Sequence, residues 1–124
     1  MKTSAFVDNS KNQHLVTVSS DGNNQTLNIS SKSNGFGSSV NGGEFLALAL
    51  ASCFCNDLYR EAAKRQIQIQ SVHVEATIEF NGEGNPGHHI NYSAKVDANA
   101  SQDQIKDLIH HTDTVAEIHN TLRT

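Results

Sequence analysis

Gly42-Gly43-Glu44-Phe45-Leu46-Ala47-Leu48-Ala49-Leu50-Ala51-Ser52-Cys53-Phe54-Cys55 is the stretch whose reading decides the fold. From Phe45 to Cys55 every residue except Ser52 is apolar. The run is too short to span a bilayer, which takes about 20 apolar residues in a helix. A helix that is apolar all round is a buried helix. Asn41 can cap its first free N–H groups, and Glu44 stands where the acid of a capping box belongs. Beyond Asn56 the pattern turns amphipathic. Leu58, Tyr59, Ala62 and Ala63 lie on one side, and Arg60, Glu61, Lys64 and Arg65 lie outside. The helix is expected to end near Arg65 or Gln66.

Working outward, Val72, Val74, Ala76, Ile78 and Phe80 alternate with His73, Glu75, Thr77 and Glu79, the period of a half-buried strand. A Gly/Asn/Pro-rich turn from Asn81 to Gly87 follows, and then a second alternating run, Ile90, Tyr92, Ala94 and Val96. The two runs predict a hairpin with one apolar face on the central helix. On the N-terminal side, His14–Ser19 and Thr26–Ile29 flank Asp21-Gly22, a strong hairpin turn signal. Ser30–Val40 reads as a Ser/Gly/Asn loop. Toward the C-terminus, Ser101-x-x-Gln104 is a capping box ahead of the stripe Ile105, Leu108 and Ile109. Thr114-x-x-Glu117 reads as the start of a last short helix carrying Val115, Ile118 and Leu122. The order ββ-α-ββ-αα predicts an α+β fold, an antiparallel sheet packed on a long buried central helix, as a single domain over residues 1–124.

Composition narrows the function. The chain has 36% hydrophobic residues and a formal net charge of −4. It has no Lys/Arg-rich run, so nucleic acid is not an expected partner. Met1–Ser10 has no apolar core of a signal peptide, and no membrane span is expected, which makes the cytoplasm the expected location. There Cys53 and Cys55 are expected as reduced thiols.

The segment from Gly42 to Phe54 resembles the OsmC/Ohr family, in which an acidic residue opens an apolar Leu/Ala helix that leads to a small residue, Cys and Phe. The resemblance extends through the strand pair and the C-terminal helices. It implies a cytoplasmic homodimer of oxidative-stress defence, with a long central helix in each subunit and no cofactor. The activity it implies is peroxidase chemistry: a redox-active cysteine reduces organic hydroperoxides or peroxide and is oxidised to a sulfenic acid. By position, Cys53 matches the nucleophile and Glu44 the acid at the helix start. Two departures stand out. Asp113, before Thr114-Val115, occupies the place of the resolving cysteine. The N-terminal region has Lys2, Lys11 and Lys32 but no arginine to set beside the thiolate. The resemblance therefore implies a one-cysteine cycle with an external thiol reductant. The alternative is a non-catalytic binding module for a small apolar ligand in the dimer cleft.

Each of these residues also has a simpler structural reading. A thiol in an apolar helix serves as a small core residue, and Asp57, one turn beyond Cys53, would raise the thiol's pKa. Cys55 lies about 200° around the helix from Cys53 and reads as core. Glu44 is nine residues from Cys53, on the opposite side of a straight helix, so reaching the thiol requires a kink or a partner subunit. Asp113 can cap the last helix, and Arg123 reads as a helix-end cation. The seven histidines show no zinc-ligand spacing, and no metal is expected.

Overall fold

In a computed structural model, which describes residues 1–123, the chain divides into two compact units, Met1–Gly42 and Gly43–Thr124. The first is a three-stranded antiparallel sheet of β1 (Thr3–Ser10), β2 (Gln13–Ser20) and β3 (Asn23–Leu27), in that order. The expected hairpin is β2–β3. Asp21 and Gly22 both take left-handed φ, 48° and 86°, as the two-residue turn joining twisted strands requires. Strand β1 is additional to the expected pair. Its sequence sets Phe6 beside Val7 without alternation, and every residue in it is exposed. It owes its strand geometry to the ladder with β2, from Thr3↔Ser20 to Ser10↔Gln13. The element order is therefore βββ-α-ββ-αα, within the expected α+β class.

The second unit is built on α1 (Gly42–Lys64). The helix ends close to the expected place and for a local reason. Gln66 takes φ 58°, Ile67 N–H donates to Ala62 C=O (2.9 Å) and Gln66 N–H to Ala63 C=O (3.2 Å). These are the two bonds of a Schellman stop. Strands β4 (Ile69–Glu79) and β5 (His88–Ala98) pair antiparallel. Their inward residues Val72, Val74, Tyr92, Ala94 and Val96 lie against Phe54, Leu58 and Ala62 of α1. Helix α2 (Gln102–Val115) opens on the expected capping box, with both Ser101–Gln104 bonds formed. Its Leu108 joins the core, and α3 (Glu117–Leu122) closes the unit.

Two expectations are corrected here. Thr114 does not open the last helix, and Asp113 does not cap it. Both lie in the last turn of α2, Ala116 is the N-cap of α3 without a side-chain bond, and Thr114 Oγ1 donates to His111 C=O (2.6 Å). Likewise α1 is not buried all round. Its buried residues are Leu50, Phe54, Asp57, Leu58, Glu61 and Ala62, a single stripe at helical spacing. Tyr59 and Ala63, expected inside, are exposed, and Glu61, expected outside, is 3% exposed.

Candidate active site around Cys53

Cys53 and Cys55 are both free, half-buried thiols on α1. Cys53 precedes the fully buried Phe54 and lies one turn before Asp57, a spacing that puts side chains on one helical face. Burial raises its pKa, and the carboxylates of Asp57 and Glu117 raise it further. The effect of Asp57 expected from spacing is therefore present, and Glu117, from the start of α3, adds to it. The resting thiol is held protonated.

Beneath Cys53 lies a charged cluster. The Arg60 guanidinium reaches Asp57 Oδ1 (3.3 Å), Glu61 Oε2 (2.8 Å), Glu117 Oε1 (2.7 Å) and the Val115 carbonyl (3.2 Å). Glu61 also accepts from Lys64 Nζ (3.0 Å), and its Oε1 lies 3.0 Å from His111 Nε2. Those hydrogen bonds, Arg60 and Lys64 first, hold Glu61 well below the ordinary carboxylate range, at about 2. Asp57 moves the other way. Burial and the neighbouring Glu117 carboxylate raise it, with Arg60 offsetting only part. Its Oδ2 is buried and receives no hydrogen bond, so one helical turn from the thiol stands a carboxyl with an enhanced hold on a proton, which the neighbouring Glu117 carboxylate helps to keep.

A second group ties β5, α2 and α3 together. Tyr92 Oη–H donates to Asp113 Oδ1, to which Arg123 Nη2 also donates (2.7 Å). Burial works against the charge on Asp113, but these two hydrogen bonds, together with the positive charge of Arg123, outweigh it and hold the carboxyl below its ordinary value. Burial and Asp113 together push the Tyr92 phenol up. Asp113 is thus a structural anchor, and Arg123 is its counter-ion rather than a loose helix-end cation. Beside them His119 is 4% exposed, edge-on to Tyr92 at 4.5 Å and 5.2 Å from Phe54. Neither of its ring nitrogens has a partner within the described residues.

The structure does not bring Glu44 to Cys53 within one chain. Helix α1 is unbroken from Gly42 to Lys64, and nine residues of rise separate the two by about 13 Å along the axis. Glu44 lies exposed in the first turn and is engaged in an interaction of its own. On the Glu44 side of α1, Ala47, Leu48 and Ala51 line an open groove of about 370 Å³ with Val74, Glu75, Ala76 and Thr77 of β4. Leu48 there is 59% exposed. Sequence reasoning missed Arg60, Glu61, Glu117 and His119. A reading of the positions 50, 54, 57, 58, 61 and 62 as one stripe would have placed Asp57 and Glu61 inside, with Arg60 as the adjacent cation.

A sequence model of the OsmC-like protein family matches residues 35–124. No curated protein sequence matches the chain. Among solved structures, an organic hydroperoxide resistance protein from Elizabethkingia anophelis, with thiocyanate bound, aligns at a TM-score of 0.68 and 18% identity. The alignment covers 99% of this chain and 89% of that one. An OsmC-like protein from Mycoplasma pneumoniae aligns at 0.63 and 23% identity, over 99% and 89% of the two chains. An organic hydroperoxide resistance protein from Legionella pneumophila aligns at 0.59 and 18%, over 99% and 90%. At these identities the likeness establishes the fold. No helix among the described residues is long and apolar enough to cross a membrane.

Proposed function

The chain belongs to the OsmC-like protein family, and from that premise we propose that it is a homodimeric thiol peroxidase of oxidative-stress defence, acting in the cytoplasm on organic hydroperoxides or peroxide through Cys53 alone. The observation that carries the reading is the position of Cys53. It is the half-buried thiol on α1 one turn from Asp57, whose buried Oδ2 receives no hydrogen bond and whose carboxyl holds a proton more tightly than usual. In the reaction Asp57 takes the Cys53 proton as the thiolate sulfur attacks one peroxide oxygen. The O–O bond breaks, the sulfur becomes a sulfenic acid, and the departing alkoxide takes a proton and leaves as an alcohol. With Asp113 at the resolving position, an external thiol completes the cycle. It condenses with the sulfenic acid to a mixed disulfide and water, and a second thiol displaces Cys53 with release of the external disulfide.

The open groove at Ala47, Leu48 and Ala51, whose β4 wall carries Glu75 and Thr77 beside Val74 and Ala76, lies on the Glu44 face of α1 and supports a partner subunit there. A partner is also the route by which Glu44 reaches a thiol, that of the other chain. The test is turnover of an organic hydroperoxide with a dithiol. Wild type is expected to consume it and Cys53→Ser to lose that activity, and equal turnover in the two sinks the reading.

One observation favours a second reading. Both carboxylates beside Cys53 raise its pKa, and Arg60 is committed to acids. A thiol so placed suits a non-catalytic binding module for a small apolar ligand. Tight, saturable binding of such a ligand by a protein without peroxidase turnover would select it.

A further inference from the structure

Adjacent residues in a strand face opposite sides of a sheet, so a His-His pair ordinarily offers one imidazole to each side. The start of β5 departs from this. Thr77 pairs with Asn91 and Glu79 with His88, so His89 and Ile90 together stand opposite the single residue Ile78. Two residues against one is a β-bulge, and in one type its first residue is left-handed and ordinarily glycine. Here that residue is His89, at φ 49°.

The bulge turns His89 toward the side that His88 already shares with Glu79. His88 Nε2 lies 3.6 Å and His89 Nδ1 2.5 Å from Glu79 Oε2, and the imidazole centroids are 4.5 Å apart. One donor atom from each of the three residues lies within 4.8 Å of the other two, and no other such trio occurs among the described residues. Gly87 sets the approach. A Cβ at this position would come within 2.8 Å of Ile78 Cγ2 and Phe80 Cε1, so the chain entering His88 lies flat against the two neighbours of Glu79. The other histidine–acid pairs, His73 with Glu75 and His111 with Glu61, offer a single imidazole each.

We propose that Glu79, His88 and His89 form a binding site for a borderline divalent transition-metal ion, with zinc as the probe. Two imidazoles and one carboxylate are a zinc donor set with a fourth position left for water. Imidazole donors select zinc, copper and nickel over magnesium and calcium. The ion would join the end of β4 to the start of β5 and close the turn between them. This site is independent of the thiol chemistry at Cys53.

The test is calorimetric titration of the purified, tag-free chain with zinc chloride near neutral pH, with histidine ring resonances followed by NMR. Wild type is expected to saturate with one ion at micromolar zinc, and the His88 and His89 resonances to move while that of His73 stays. His88→Ala and His89→Ala should each weaken binding by about tenfold or more, the scale of loss when a metal site's coordination is disturbed. Glu79→Gln should weaken it as well, and His73→Ala should match wild type. Wild-type binding that needs millimolar zinc, or undiminished affinity in both His88→Ala and His89→Ala, overturns the proposal.

Discussion

Phe54→Ala puts the packing beneath Cys53 to a quantitative test. The ring is fully shielded from water, stands among Leu58, Ala62, Leu108 and Ala116, and meets the Tyr92 ring at 4.7 Å. Replacing a buried Phe by Ala costs about 3–5 kcal/mol through lost transfer energy and the cavity left behind. The cavity here is walled by α1, β5, α2 and α3, which cannot collapse inward without moving together, so a loss of about 4 kcal/mol is expected. For a domain stabilised by about 0.05–0.15 kcal/mol per residue, that is between about a fifth and two-thirds of the total. With an unfolding entropy of about 2.1 cal/mol/K per residue, it corresponds to a drop in Tm of about 15 °C. The assay is urea and thermal unfolding followed by circular dichroism. Both proteins are compared at one concentration, because the midpoint of a chain that self-associates depends on it. A loss below about 1.5 kcal/mol, half the lower end of that range, would refute the packing argument.

The Cys53 thiol should be alkylated slowly at neutral pH, its rate rising only at alkaline pH because burial, Asp57 and Glu117 favour the protonated form. Asp57→Asn should move that profile to lower pH while reducing peroxide turnover, and a wild-type midpoint below about 7, as in activated thiols, would contradict the geometry. Stability should fall as the solution is acidified. His119 titrates below its ordinary 6.5 and Glu61 at about 2 rather than 4.5, so both stabilise the fold above their ordinary values and lose that contribution as pH falls through the folded ones. Asp57, raised by burial, acts in the opposite sense. His119→Phe should remove the part of the decline that begins near 6.5, and an unchanged pH profile in that variant would count against a neutral buried ring. Tyr92→Phe removes the hydroxyl that donates to Asp113. About 1.5–3 kcal/mol of stability should go with it, the range for a hydrogen bond to a charged group, and an unfolding midpoint equal to wild type would show that Arg123 alone satisfies the carboxylate.

The periodic segments were legible because their signals are local. The alternation from Val72 to Phe80 and from Ile90 to Val96 marks β4 and β5, Asp21-Gly22 marks the β2–β3 turn, and Ser101-x-x-Gln104 marks the start of α2. Strand β1 was not legible, because an exposed edge strand needs only a partner's ladder and no pattern of its own. The break between α2 and α3 was misplaced by two residues, because Thr114 bonds back to His111 rather than forward.

What the sequence by itself determined is the set of elements apart from β1, the α+β class and the family resemblance around Glu44–Phe54, which singles out Cys53. These follow from hydrophobic period, turn chemistry and capping, which act over a few residues. Tertiary structure alone decided the surroundings of that thiol. Glu117 comes to it from 64 positions further along the chain, Arg60 is shared among three acids, and Asp113 is an anchor for Tyr92 and Arg123. Charge and burial at a site depend on which residues distant in sequence are packed together, and no local pattern carries that information. Glu79, His88 and His89 show the same thing on a smaller scale. Two adjacent histidines have no ligand spacing in the sequence, and it is the bulge and the pairing of β4 with β5 that turn both toward one carboxylate.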